Sequence, residues 1–236
     1  MIVEVALHKA LLHDPGRSID VRVPVNAVPA VTDGAFAEQP EGRPSAVGVL
    51  KAVLEAEAKE KKVDGILLDT SPFYAGGTHL AWCAADAIII PVRVDEHSID
   101  SLELTLDLLS NPTRDFVMWN ERAGGRASPR VAAIVMTMVG SKSQLRATPD
   151  RASRMYVERA LSIAEKYSNV FDHANPADSF VITDDFVSAG RISGAKSIPI
   201  SRLKIDSFHM VEGKRLQVNS SAERYQRELA YLLSIL

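Results

Sequence analysis

The sequence predicts an α/β protein with a mostly parallel sheet flanked by helices. Short apolar segments without polar alternation recur along the chain, as is typical of strands buried on both faces of a parallel sheet. Segments with apolar residues at helical spacing lie between these strands. The composition, with 46% hydrophobic and 24% charged residues, is that of a folded globular chain rather than a disordered or fibrous one.

The predicted strands are short apolar segments of the chain. The clearest apolar runs are Gly65–Leu68, Ala87–Val92 and Val131–Met136. Two less regular segments, Val21–Val25 and Phe180–Ile182, are further candidates. A hairpin over Phe208–Val218, turning at Glu212-Gly213, is predicted inside a possible insertion at residues 203–219.

The helices are predicted from apolar stripes and from capping residues. Two helices are predicted at Met1–Leu12 and Ser45–Lys62, and a third begins at the cap Ser98 and ends at Asn111-Pro112. A fourth is capped by Thr148, has Pro149 at its first position and runs to Tyr167. The last helix runs from the capping box Ser220-Ser221-Ala222-Glu223 to Leu236. Polar segments rich in Gly, Pro and Arg at Glu38–Pro44 and Asn111–Arg130 are predicted loops.

Length and cysteine content restrict the class of protein. The 236 residues fit a single domain spanning 1–236. No apolar run approaches 18 residues, so we expect neither a membrane span nor a secretory signal. A single cysteine, Cys83, suits a reducing compartment, and we expect a cytoplasmic protein. Cys83 lies one helical turn after His79, and a packed helix face is preferred over a nucleophilic pair because no third group is apparent.

The most informative chemical feature is an aspartate at the end of a buried strand. Asp69 directly follows the apolar run Gly65–Leu68 and precedes Thr70-Ser71-Pro72. Open α/β sheets bind ligands at the carboxyl ends of their strands, which would let Asp69 hold a Mg²⁺-bound water. The alternative is structural, with Asp69 capping the following turn.

The segment after Asp69 adds a second motif. Asp69-Thr70-Ser71-Pro72 is followed by Ala84-Ala85-Asp86 and the apolar run Ala87–Val92, which contains Pro91-Val92. This pair resembles the ParA/MinD family of deviant Walker ATPases, within the CobQ/CobB/MinD/ParA superfamily. Weaker matches follow in the family's order, at Val131–Met138 and at Val181–Ile200, so that the resemblance covers roughly residues 19–236.

The resemblance implies an ATP-dependent partitioning or positioning protein that uses Mg²⁺ and works as a homodimer on DNA or with a ParB-like partner. It implies that Asp69 is the Walker B carboxylate, acting on Mg²⁺ through water, and that Thr70 begins a switch-like loop behind it. By the same resemblance, the candidates for the base side of the nucleotide are Thr137, Met138, Thr183 and Asp184.

The chain departs from the family at its amino end. Neither a phosphate-binding loop of the Lys-Gly-Gly-x-x-Lys-Thr type nor the following Asp-x-Asp-Pro segment occurs. The nearest approach to a P-loop, Gly190–Ser197, is one residue short. Aligned by its motifs, the chain lacks the N-terminal strand at the centre of the family's sheet, and Met1–Leu12 does not resemble a replacement strand.

The carboxyl-terminal part of the chain is basic. Eight Lys and Arg residues face four Asp and Glu residues between Val187 and Leu236. By charge, the predicted DNA contacts are Arg191, Lys196, Arg202 and Lys204. Two alternatives to the ATPase remain open: a non-catalytic module that binds DNA or a protein partner, and an amide-forming ligase of the cobyrinic acid a,c-diamide synthase type.

Overall fold

A computed structural model describes residues 5–9, 46–63, 65–70, 74, 76–122, 128–140 and 148–236. The strands are Val5–Lys9 (β1), Gly65–Asp69 (β2), Ala87–Arg93 (β3), Arg130–Thr137 (β4), Phe180–Ile182 (β5), Phe208–Val211 (β6) and Lys214–Gln217 (β7). The helices are Ala46–Lys61 (α1), Gly76–Ala84 (α2), Glu96–Ser110 (α3), Asp115–Arg122 (α4), Arg151–Lys166 (α5), Val187–Lys196 (α6) and Ser221–Ile235 (α7).

The main sheet has the strand order β2-β1-β3-β4-β5. β3, β4 and β5 pair in parallel, and β1 pairs antiparallel with both β2 and β3. β2 therefore runs in the same direction as β3, β4 and β5, and β1 alone opposes them. The predicted α/β class, with parallel strands between helices, is confirmed.

The prediction of a helix over Met1–Leu12 is wrong, because part of this segment forms β1. Val5 of β1 pairs with Asp69 of β2 on one side and with Ile89 of β3 on the other. Neighbouring strands on both sides offer unpaired N–H and C=O groups, and pairing with them overrides the weak local preference of a short segment. β1 thus lies inside the sheet, between β2 and β3.

Helices cover both faces of the sheet. On one face, α3 and α5 pack on Ile88, Ile90 and Val92 of β3 and on Ile134 and Met136 of β4. On the other face, the end of α7 brings Leu232, Ile235 and Leu236 onto Ile89, Ala133, Val135 and Val181. This alternation of side chains in β3 and β4 explains their unbroken apolar sequences, because each face has its own helical cover.

The segment from α6 to the start of α7 has a small core of its own. The hairpin β6-β7 and a 3₁₀ turn at Ile200–Arg202 pack against α6. The buried members of this core, which we call the hairpin cluster, are Ala189, Ile192, Leu203, Val218, Ala222 and Tyr225.

Helix ends differ from the predictions in two places. α3 is capped by Asp95, whose carboxylate accepts from the Ser98 amide at 2.9 Å, rather than by Ser98. α5 is capped by Asp150, whose carboxylate accepts from the Ser153 amide at 2.7 Å, rather than by Thr148. In both segments a carboxylate lies three residues before a serine, and the cap is the acceptor, not the serine.

Most of the other predicted strands and helices are present in the structure, and one predicted loop is not. Strands β2, β3, β4 and β5, helices α1 and α7 and the hairpin lie where they were predicted. The predicted loop Asn111–Arg130 contains the helix α4, which is a correction. Phe116 of α4 is buried against α2, so tertiary packing stabilises a helix that polar neighbours obscure in the sequence. The predicted strand Val21–Val25 and loop Glu38–Pro44 lie outside the described residues.

Candidate functional site

The carboxyl ends of β2, β3, β4 and β5 share one edge of the sheet, because these strands run in the same direction. This edge carries Asp69 and Thr70 from β2, Thr137 and Met138 from β4, and Asp184 after β5. At about 4.8 Å between neighbouring strands, the β2 end lies about 14 Å from the β4 end and about 19 Å from the β5 end. The predicted residues thus share an edge but form two separate groups.

Asp69 is an exposed side chain at the end of β2. Its neighbour in the ladder is Val5, so the amino end of β1, not its carboxyl end, reaches this edge. A P-loop works because it leaves the carboxyl end of its strand and directs backbone amides at phosphates. β1 therefore cannot deliver such a loop beside Asp69.

The P-loop near miss at Gly190–Ser197 lies almost entirely in α6, which spans Val187–Lys196. Backbone amides inside a helix donate to carbonyls one turn earlier, and so they are not available to surround a phosphate. The expectation that this segment is not a phosphate-binding loop is confirmed.

Thr137 is the last residue of β4, and Met138 follows it at the bend. The Thr137 hydroxyl Oγ1 lies 3.4 Å from the carbonyl oxygen of Val92 in β3. Met138 adopts a left-handed backbone with φ of 59° and is 45% exposed. The methionine side chain therefore offers an apolar contact at this part of the edge.

Thr183 and Asp184 are both engaged in contacts within the protein. Thr183 is buried, and its amide donates to the Met136 carbonyl at 2.8 Å. The Asp184 carboxylate accepts from Arg224 Nη2 at 2.6 Å and from the Asp185 amide at 2.7 Å. These bonds link the end of β5 to α7.

Arg224 belongs to a buried charge cluster that the sequence analysis missed. Its side chain is 6% exposed, and its Nε lies 3.8 Å from Oε1 of Glu228, whose side chain is 9% exposed. Neither oxygen of Glu228 accepts a hydrogen bond from any described residue. Burial raises the pKa of Glu228 to about 7, with Arg224 acting in the opposite direction and Asp184 adding to the rise. The i,i+4 spacing of the pair was the available signal in the sequence.

The predicted DNA contacts all belong to the part of the chain around the hairpin cluster. Arg191 and Lys196 lie on α6, Arg202 ends the 3₁₀ turn, and Lys204 precedes the hairpin. All four side chains are exposed. Within residues 148–236 none of them forms an ion pair, so their charges are available to a ligand.

Protein-family models, curated protein sequences and solved structures give no significant match to this chain. The edge with Asp69, the buried charge cluster and the exposed cations are therefore interpreted from their own geometry and from the sequence motifs.

No group of three His, Cys, Asp or Glu side chains converges on a metal position in the described ranges. The described helices include none that is both long and apolar enough to cross a membrane.

His79 and Cys83 lie on the buried face of α2. The His79 ring is 5% exposed and lies 5.6 to 5.8 Å, centroid to centroid, from the rings of Trp82, Phe116 and Trp119. Burial lowers the pKa of His79, and the charge of Asp115 opposes this only in part. The predicted packed helix face is confirmed, and burial among these rings favours the neutral form of the imidazole.

Proposed function

We propose that this chain is a homologue of the ParA/MinD ATPases that acts in partitioning or positioning and does not hydrolyse ATP by itself. The observation that carries the proposal is the arrangement around Asp69, which ends a strand at the carboxyl edge beside an antiparallel β1. From this edge the Asp69 carboxylate would hold a Mg²⁺-bound water, whereas the carboxyl end of β1 lies at the opposite edge and delivers no phosphate-binding loop beside it.

The proposal gives distinct roles to the two groups along the edge. Asp69 and Thr70 would act on the Mg²⁺ side of ATP, while Thr137 and Met138 would border the base. Thr183 and Asp184 support this edge indirectly, because their polar groups bond to β4 and α7. Hydrolysis then requires a phosphate-binding loop contributed from another polypeptide segment, either sequence upstream of Met1 or a partner chain.

The test compares ATP turnover by the 236-residue chain with turnover by the protein isolated with its partners from its natural cells. We expect no turnover above the blank for the chain alone and clear turnover for the isolated complex. Asp69→Ala should lower the turnover of the complex by about 100-fold, as expected when a preorganised electrostatic group is removed.

Glu165→Gln is the matched control, because it removes an exposed carboxylate from α5 on another part of the surface. This control should retain full turnover. The proposal would be contradicted by any of three results: turnover by the isolated chain, undiminished turnover in the Asp69→Ala complex, or no turnover in any sample.

A second candidate function is a non-catalytic DNA-binding module. The observation that favours it is the set of four exposed cations around the hairpin cluster, which form no ion pair with the described residues. Phosphate contacts release counterions, so binding should weaken as salt rises, with a logarithmic slope of about −3 to −4 for four contacts.

This candidate is tested by fluorescence anisotropy with a 30-base-pair duplex between 50 and 200 mM salt. Substituting Arg191, Lys196, Arg202 and Lys204 with Gln should bring the slope close to zero. The control replaces the same number of exposed cations elsewhere, namely Lys59, Lys62, Arg151 and Arg154. Equal slopes for the two variants would exclude this module.

A further inference from the structure

The hairpin β6-β7 presents an apolar outer face that the protein core does not use. Phe208 and Met210 alternate along β6 and are 50% and 54% exposed. Met210 pairs directly with Arg215 of β7, which places Arg215 on the same face as Phe208. The opposite face packs Val211 and Leu216 against the hairpin cluster. Because its inner face packs on the hairpin cluster, the hairpin holds the side chains of its outer face in fixed positions.

Arg215 stacks on the aromatic ring of Phe208. Its guanidinium carbon lies 3.8 Å from the ring centroid, which is within the range of a cation–π contact. Both side chains are exposed, so the stack faces solvent. The planar guanidinium and the ring together form a preorganised surface on which another flat group can stack.

The segment of chain that carries this stack has a net positive charge. Between Val187 and Val218 the chain carries six Lys and Arg residues and two acidic residues. Of the acidic residues, Asp206 accepts a hydrogen bond from Gln217, and Glu212 lies at the tip of the hairpin. An anionic polymer would therefore meet an attractive field around an exposed aromatic ring.

We propose that the outer face of the hairpin binds single-stranded nucleic acid, with a base stacked on Phe208 and Arg215 and phosphates held by the flanking cations. Bases in a single strand expose their flat faces, whereas bases in a duplex bury them, so the stack selects single strands. The phosphate contacts rest on the second candidate function, and the stacking contact is independent of it.

The experiment measures anisotropy of labelled dT20 and of the matching rU20 strand with the full chain at 50 mM salt, alongside a 20-base-pair duplex. Phe208→Ala should weaken binding of both single strands about 5- to 100-fold, since stacking of one base on an aromatic ring has this effect. Binding of the duplex should change less than about twofold. Phe208→Trp should retain single-strand binding. A difference between dT20 and rU20 identifies DNA or RNA as the preferred source of the strand.

Met155→Ala is the matched control, because Met155 is a 52% exposed apolar residue on α5, away from the hairpin. Circular dichroism and thermal melting confirm that each variant is folded. Three results would overturn the proposal. The first is an unchanged affinity of Phe208→Ala for single strands, and the second is absence of binding by the native chain. The third is full displacement of dT20 by an equal charge of polyglutamate. The last result would identify an acidic protein surface as the ligand.

The same data separate this proposal from the second candidate function. If the four-cation variant loses binding while Phe208→Ala does not, phosphate binding stands and base stacking is wrong. If Phe208→Ala loses single-strand binding while the four-cation variant keeps its salt slope, stacking stands and the assignment of the four cations is wrong.

Discussion

Glu228 is a buried carboxyl group whose oxygens receive no hydrogen bond from the described residues. A buried carboxylate without donors favours its protonated form, which is why burial raises the pKa of Glu228 to about 7. In the unfolded chain the group titrates near 4.5. The contribution of Glu228 to the stability of the native state is therefore fully present below pH 4.5 and is lost as the pH rises through 7.

We predict that Glu228→Gln raises the free energy of unfolding at high pH. The neutral amide removes the cost of a buried charge above pH 7, so the variant should be more stable than the native chain at pH 8 by up to about 3 kcal/mol, a bound set by the size of the pKa shift. Below pH 4.5 this difference should vanish. Urea unfolding at pH 4 and pH 8 measures both values.

Glu223→Gln is the control for Glu228→Gln, because Glu223 is exposed on the same helix. It should change the unfolding free energy little at either pH, as is usual for surface substitutions. A difference between Glu228→Gln and the native chain that is the same at pH 4 and pH 8 would refute the assignment of the titrating group.

Side-chain partners across the fold were the least predictable feature at the residue scale. The spacing of Arg224 and Glu228 marks a pair on one helix face, but it does not indicate that Asp184 completes the cluster from the end of β5. The same limit applies to Asp184, which was predicted at a nucleotide site. Its bond to Arg224 depends on how α7 packs against β5, and sequence spacing carries no such information.

At the scale of elements, the hairpin turn is built with one unfavourable residue. Glu212 and Gly213 both adopt positive φ, at 47° and 76°. Two central residues with positive φ define the type I′ turn, for which Asn-Gly is the preferred sequence. Glutamate in the left-handed region costs about 1–2 kcal/mol, because its Cβ approaches the following carbonyl oxygen.

We predict that Glu212→Asn stabilises the hairpin by about 1 kcal/mol, since asparagine tolerates the left-handed region. Thermal unfolding should show this as a rise of the midpoint by about 2–4 °C for a chain of this size. Glu212→Gln, which removes the charge and keeps the strain, is the control and should leave the midpoint nearly unchanged. Equal effects of the two variants would point to charge instead of backbone geometry.

Elements with unbroken apolar sequences were predictable, whereas their ends were not. β3 and β4 are covered on both faces, so their sequences differ clearly from those of the helices. The caps Asp95 and Asp150 were missed because a serine or threonine lay nearby and both types of residue can cap a helix. Backbone dihedrals, which the sequence does not reveal, decided between them.

At the scale of the whole molecule, the α/β class followed from the sequence, but the centre of the sheet did not. Local periodicity at Met1–Leu12 indicated a helix, and the antiparallel strand β1 is explained only by the two strands that flank it. Of the candidate site, the sequence indicated Asp69 at the carboxyl edge and the exposed cations. The solvent-facing stack of Phe208 and Arg215 requires the register of the hairpin and was not predictable.

The position of β1 also shapes how this protein must be made. β1 is synthesised before the other described strands, yet its partner in β3 follows about eighty residues later. At about 5–20 residues per second, the ribosome needs roughly 4–16 s to produce that partner. During this time the N–H and C=O groups of β1 that will bond to β3 lack their final partners. Because long-range pairing closes slowly, the sheet is completed late in synthesis. The strand that joins the two halves of the sheet is thus made before both of the strands that hold it, and its backbone must wait for them.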